Sequence, residues 1–260
     1  MTDLKIRFTG CPLCGSSELS QYLSQDCTMH PLYHPALPPN LCWSRCDVCE
    51  HEFTDSYFTE GALSLIFSRT NVSQGVGHDL ERKRFIASRM VDRVLGYFTE
   101  GCWLDVGFGD GSLLMTAREY GFHPIGLDLR SDNVESLKSF DIEAHCERIE
   151  CFRSDKEIDI VSFMDVVEHV PDPQLVLEKA RDILREDGLL FISMPNRETN
   201  LWDEMTKAKV NPYYAEIEHY HNFTRSRLYS LLHEVGFDPV SYGVSQRYKC
   251  GMEVLARKVS

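Results

Sequence analysis

Four cysteines stand in two pairs of equal spacing, Cys11-Pro12-Leu13-Cys14 and Cys46-Asp47-Val48-Cys49. A Cys-x-x-Cys turn puts two sulfurs on one side of a tight bend. Two such turns supply the four thiolates that tetrahedral zinc prefers. Gly15, directly after the first pair, suits a backbone bending round a metal. Cys42 and His51 are alternative ligands for the second pair. A four-ligand site has no open position for chemistry, so the expected centre is structural. It holds together a segment that buries too little to fold alone. A redox dithiol fits less well, because neither pair opens a helix of a thioredoxin-like unit.

A second chemical feature lies further on. Leu104-Asp105-Val106-Gly107-Phe108-Gly109-Asp110-Gly111 follows an apolar run and precedes a helical one. Glycines at such a turn let the backbone bend sharply and approach a ligand. The helix start adds unpaired N–H groups facing the same spot. Asp128 closes the next apolar run, Ile125-Gly126-Leu127-Asp128. A carboxylate there accepts hydrogen bonds from both ribose hydroxyls of a nucleoside. Dinucleotide enzymes share this acid but carry a longer G-x-G-x-x-G turn. A purely structural turn with a capping Asp is the alternative.

The elements that must position these residues are legible from periodicity. From Asp79, the apolar residues Phe85, Ile86, Met90, Val94 and Phe98 recur at helical spacing up to Gly101. Strand and helix patterns then alternate. Strands are expected at 102–106, 124–129, 142–146, 158–164 and 189–194, with helices at 112–120, 131–140, 173–184 and 226–235. Such alternation predicts a parallel sheet with helices on both faces. Strands at 237–244 and 252–256 have no helix between them and are expected as an antiparallel pair at one edge. Residues 1–55 hold six of the ten cysteines, with Pro31, Pro35, Pro38 and Pro39 in a loop-like stretch. A connecting segment at 56–78 contains a flexible run from Asn71 to Gly77. Arg197 to Thr224 carries Trp202, Tyr213, Tyr214, Tyr220 and Phe223 and leaves a strand end. It is expected to fold as a lid, since open α/β sheets bind ligands beyond their strand ends. Surface aromatic packing is the alternative.

Composition bounds the function. With 43% hydrophobic and 26% charged residues, the 260-residue chain is ordinary for a packed protein. It has room for one α/β domain and a small module. No run of roughly 18 apolar residues exists to span a membrane. The mixed start Met1-Thr2-Asp3-Leu4-Lys5 lacks the apolar core of an export signal, so a cytoplasmic protein with reduced thiols is expected. A net charge of −13 repels phosphate backbones, and the basic run Arg82-Lys83-Arg84 is short. Nucleic acid is therefore disfavoured as a partner.

The Leu104–Gly111 turn with Asp128 resembles the first motifs of class I S-adenosylmethionine-dependent methyltransferases. Met164-Asp165-Val166-Val167-Glu168-His169-Val170-Pro171-Asp172-Pro173 resembles their segment after the fourth strand. Gly188-Leu189-Leu190-Phe191-Ile192-Ser193-Met194-Pro195-Asn196 resembles their fifth strand. The likeness runs from about Asp79 onward. It implies a Rossmann-like, seven-stranded α/β methyltransferase sheet behind a small N-terminal zinc-binding module. It also implies S-adenosylmethionine as cofactor and S-adenosylhomocysteine as product. Gly107, Gly109 and Gly111 would face the methionine part, with Asp105 orienting the turn or meeting the amine. Asp128 would take the ribose, and Met164 and Asp165 would lie near the cofactor.

Zinc module, methyltransferase core and Glu218-His219 come in the order found in sugar C-methyltransferases of deoxysugar pathways. Phe223-Thr224 is similar to the aromatic-hydroxyl residues that follow there, whereas Glu216 stands where those enzymes have tyrosine. Shorter zinc-headed methyltransferases of polysaccharide pathways are nearer in size and imply O-methylation. The implied acceptor is a small molecule such as a sugar nucleotide or glycan hydroxyl. Its proton needs a base, and histidine is suited to that near pH 7. His219 is the first candidate, oriented by Glu218, with His169 second and His221 third. A ribosomal RNA or tRNA methyltransferase, and a cofactor-binding docking module without turnover, are the competing functions.

Overall fold

The computed structural model describes residues 4–67 and 75–259. The expected flexible run begins at Asn71, and its part up to Gln74 lies outside the described residues. The chain divides into two compact units.

The first unit draws on Met1–Asn71, Glu168–Pro173 and Pro195–Leu231. Its strands are β1 (Lys5–Arg7), β2 (Leu19–Asp26), β3 (Asn40–Cys46), β4 (Glu52–Thr54) and β5 (Ser56–Phe58), followed by helix α1 (Glu60–Phe67). β1 and β5 form an antiparallel pair. β2, β3 and β4 form a meander completed by β11 (His221–Asn222), in the order β11-β4-β3-β2. The proline-bearing stretch between β2 and β3 is irregular, as expected, but the flanking strands were not anticipated. Leu41 and Trp43 of β3 are almost fully buried on alternate positions, the period of two that marks a half-buried strand.

The second unit draws on Val72–Val167, Gln174–Met194 and Leu232–Ser260. Helix α2 (Leu80–Val94) leads into β6 (Gly101–Val106), α3 (Ser112–Glu119), β7 (Phe122–Leu127), α4 (Ser131–Lys138), β8 (Glu143–His145) and β9 (Ile158–Met164). Then come α5 (Pro173–Ile183), β10 (Leu184–Pro195), β12 (Phe237–Val244) and β13 (Gly251–Lys258), whereas α6 (Asn200–Lys207) falls in the first unit and α7 (Arg225–Glu234) begins in the first and ends in the second. The sheet has seven strands in the order β12-β13-β10-β9-β6-β7-β8. β6 to β10 pair in parallel, and β12 runs antiparallel to β13 at the edge, as the missing helix between them predicts.

The core joins Met90, Val91 and Val94 of α2 to Trp103, Phe122, Ile160 and Phe191 of the sheet. Phe85, read as part of that face, is instead 61% exposed under the Arg89 guanidinium. Five residues before Met90, it lies about 140° round the helix, outside the apolar stripe. α6 falls within the aromatic segment, where no helix was expected. Its signal was Thr199, whose hydroxyl accepts from the Trp202 N–H at 3.2 Å as an N-cap.

Candidate active site and metal centre

In the first unit, the sulfurs of Cys11, Cys14, Cys46 and Cys49 all lie within 4.8 Å of one another. Cys11 Sγ is 3.5 Å from Cys49 Sγ, and Cys14 Sγ is 3.6 Å from Cys46 Sγ. These separations are too long for disulfides. They approach the roughly 3.8 Å edge of a tetrahedron built on 2.3 Å zinc–sulfur bonds. Each turn closes alike. Gly15 N–H donates to the Cys11 carbonyl at 2.9 Å, and Glu50 N–H to the Cys46 carbonyl at 3.0 Å. Gly15 and Glu50 both adopt positive φ, 72° and 59°. The four thiols fit a metal by donor type and spacing. The alternative ligands stand apart: Cys42 meets Ser24, and His51 meets His221.

The histidine candidates also belong to this unit. His221 donates from Nε2 to the Val170 carbonyl at 2.9 Å, leaving its Nδ1 to accept from His51 Nε2 at 3.0 Å. Burial lowers the His221 pKa to about 3. Both His221 nitrogens are thus committed to internal bonds. His169 Nδ1 donates to the main-chain carbonyl of Glu218 at 2.9 Å. Glu218 therefore enters through its backbone and orients His169. The His169 and His219 rings meet edge to face at 4.6 Å. Tyr213 stacks on His219 at 5.9 Å and on Trp202 at 4.9 Å. Burial, reinforced by His169, His30 and His221, holds the His219 pKa well below the usual histidine value. It is a neutral imidazole at physiological pH. Nearby, His30 Nε2 contacts a carboxylate oxygen of Glu216.

The aromatic segment is spent largely on this unit. Trp43 Nε1 donates to the Tyr214 carbonyl at 3.0 Å, and Arg197 reaches Glu52 at 2.7 Å. A cavity of about 520 Å³ opens among Glu50, Arg197, Thr224, Ser226, Arg227 and Ser230.

In the second unit, β6 delivers the glycine turn. Gly107, Gly109 and Gly111 all hold positive φ, at 68°, 58° and 72°. At Gly107 a Cβ would come within 2.7 Å of Val166, and at Gly111 within 2.9 Å of Leu137. At Gly109 its nearest neighbour among the described residues would be the Gly107 carbonyl oxygen, 3.9 Å away, so a Cβ there would not be crowded by them. Asp128, 6% exposed at the end of β7, accepts from the Gly109 N–H at 3.2 Å and from Arg130 through its main chain and guanidinium.

Asp105 is buried beneath the turn, where Ser162 Oγ donates to it at 2.6 Å. Burial pushes its carboxyl up to about 7, against the pull of Ser162 and Arg247. Met164 is buried at the end of β9. Asp165 follows at φ 60°, accepting a hydrogen bond from Ser193 Oγ at 3.1 Å and ion-paired with Arg247 Nε at 3.2 Å. Lys83 pairs with Asp110 of the turn at 2.9 Å. A cavity of about 200 Å³ lies between Lys83, Met90, Asp110, Leu113, Arg247 and Tyr248. Sequence reasoning did not assign Lys83 or Arg247 to the site, because Lys83 lies in a short basic run on a helix and Arg247 carries no motif.

An open glycine turn with an acid at the next strand end defines an α/β domain shaped for a nucleoside ligand. Residues 78–242 match the family described as methyltransferase domain, and the chain belongs to that family. Part of it is 30% identical over 106 residues to the ubiquinone biosynthesis O-methyltransferase of Glaesserella parasuis serovar 5 (strain SH0165), covering 36% of this chain and 45% of that one. The corresponding protein of Salmonella paratyphi A (strain ATCC 9150 / SARB42) is 32% identical over 123 residues, covering 42% and 51%. The chain thus spans about half the length of the curated relatives it matches. Among solved structures, the Burkholderia thailandensis 1,6-didemethyltoxoflavin-N1-methyltransferase superposes with a TM-score of 0.59 at 19% identity, over 81% of this chain and 96% of that one. Magnesium protoporphyrin IX methyltransferase of Synechocystis PCC 6803 gives 0.55 at 15% identity, over 68% and 83%. At such identities the likeness concerns the fold. No helix among the described residues is long and apolar enough to cross a membrane.

Proposed function

We propose that this chain transfers the methyl group of S-adenosylmethionine to a hydroxyl of a small molecule, a sugar or sugar derivative. Gly109 carries the reading: beside the Asp128 carboxylate its Cβ direction is uncrowded among the described residues, within a methyltransferase domain. Gly107, Gly109 and Gly111 would lie along the cofactor, with Asp128 on its ribose and Asp105, Met164 and Asp165 beneath it. When bound, the cofactor supplies an electrophilic methyl on a sulfonium.

The oxygen acceptor agrees with relatives named O-methyltransferases. The sugar class rests on the Glu218-His219 resemblance. His219 is assigned the acceptor's proton, because it is a buried neutral imidazole with a ring edge against His169. His169 is positioned by the Glu218 carbonyl. Cys11, Cys14, Cys46 and Cys49 hold a structural zinc. A net charge of −13 weighs against an RNA acceptor.

A panel of hydroxylated acceptors, with sugar nucleotides and ribosomal RNA fragments, assayed for S-adenosylhomocysteine release tests the reading. Release with hydroxyl acceptors is expected. Release only with RNA overturns the acceptor class, and loss of cofactor binding overturns the whole. His219→Ala should lower turnover by about 10² to 10⁴-fold with cofactor affinity unchanged.

A further inference from the structure

Glu168, His169 and His219 each offer one donor atom to a common point, and the three atoms lie within 4.8 Å of one another. Glu168 and His169 come from the single turn Val167–His169 that follows β9. His219 comes from the segment just before β11. All three belong to the first compact unit. Donors bound to one zinc at about 2.0–2.2 Å stand roughly 3 to 4 Å apart, so a small contraction brings this set onto one ion.

Two further details point to a ligand. The Nδ1–H of His169 is held by the Glu218 carbonyl at 2.9 Å, which fixes the tautomer and leaves Nε2 with its lone pair. Metal-bound imidazoles are oriented by such carbonyl or carboxylate acceptors. His219 is only 7% exposed, and its Nδ1 has no hydrogen-bond partner among the described residues. Buried polar atoms are almost always partnered. An orphaned imidazole nitrogen beside a second imidazole and a buried carboxylate is the signature of a missing ligand.

We infer that Glu168, His169 and His219 form a second metal site, separate from the four cysteines, that takes a divalent transition cation such as zinc. Two imidazoles and a carboxylate are a donor set of catalytic zinc, and three protein ligands leave a position for an oxygen donor. The cysteine site lacks such a position. The inference rests on the proposed acceptor site and deepens it: His219 would assist loss of the acceptor's proton through the cation, which takes the hydroxyl oxygen as a ligand and lowers its pKa so that the proton leaves to solvent.

The test is a Co²⁺ titration of the chelator-treated full chain, followed by visible and near-ultraviolet absorption. Neither cofactor nor acceptor is present, so the result does not depend on whether the chain methylates a hydroxyl. Two equivalents are expected, one with thiolate-to-cobalt charge-transfer bands and one without. Glu168→Gln and His219→Ala should each weaken the second by at least about tenfold while the thiolate bands persist. Cys11→Ser should disturb the thiolate bands, and the second equivalent should remain without them. A single equivalent carrying thiolate bands overturns the site, and this outcome is read on wild-type protein, so it survives a variant that fails to fold. So does a second equivalent whose affinity is unmoved by Glu168→Gln, His169→Ala and His219→Ala alike.

Discussion

Asp105 and Asp128 are both buried carboxylates of the glycine turn, yet their surroundings differ. Asp128 is met by four N–H donors, from Gly109 and Arg130. Four donors fill the acceptor capacity of one carboxylate, so ribose hydroxyls arriving there take the place of part of the Arg130 fork. Asp128→Asn removes the charge from this exchange. It should weaken S-adenosylmethionine binding by about 1.5–3 kcal/mol, on the order of 10- to 150-fold, measured by calorimetry.

Ser162 is the one side-chain donor to Asp105 among the described residues, and burial raises the Asp105 carboxyl from 3.8 to about 7. The folded chain keeps a proton that the unfolded chain has released between those values. This group therefore makes the fold less stable as pH rises from 3.8 to about 7, and its contribution is level above that. Cofactor binding has the opposite sense, because the proposed contact of Asp105 with the methionine ammonium needs the carboxylate. Affinity should rise as pH increases through about 7 and then level off. Calorimetry on either side of that pH checks it, and Asp105→Asn should flatten the profile.

At the scale of elements, the β6–α3 turn separates glycines needed for folding from one needed for a ligand. Gly126 on β7 has ordinary backbone, but a Cβ there would meet Phe108 at 2.6 Å and Leu137 at 2.9 Å. Gly126→Ala should therefore cost about 1–3 kcal/mol by overpacking. Gly109→Ala meets only the Gly107 carbonyl oxygen among the described residues, at an ordinary 3.9 Å, and bears mainly the penalty of positive φ, about 1 kcal/mol. Its cofactor affinity should nonetheless collapse, as the methyl fills the space left for the ligand. Urea melts paired with cofactor titrations of the two variants separate these effects. A second element-level outcome concerns β11, which pairs His221 with Phe53 and Asn222 with Glu52 of β4. β4 joins β3, whose last residue is Cys46. Cys11→Ser should release the metal and raise amide exchange at β11 as well as in β3 and β4, as read by hydrogen-exchange mass spectrometry.

Over the whole molecule, 40 acidic residues outnumber 27 basic ones. Long-range steering then disfavours polyanions. Mobility-shift titration with ribosomal RNA fragments at about 0.15 M salt is expected to show no binding.

The cysteine pairs, the glycine turn and the β6-to-β9 strands were legible in the sequence because each is a local event. Two cysteines three positions apart on a tight turn, or an apolar run followed by glycines, announce their chemistry within a few positions. β9, from Ile158 to Met164, was legible to its ends because a strand buried on both faces reads as an uninterrupted apolar run. Tertiary structure alone brought Glu168 and His169 to His219, set Arg247 on Asp165 and laid β11 along β4. It also set Tyr214 against Trp43 and Glu52. His51 and His221 meet across 170 residues of chain. No periodicity encodes such a meeting, since its partners are chosen by sheet pairing and burial after the local elements have formed.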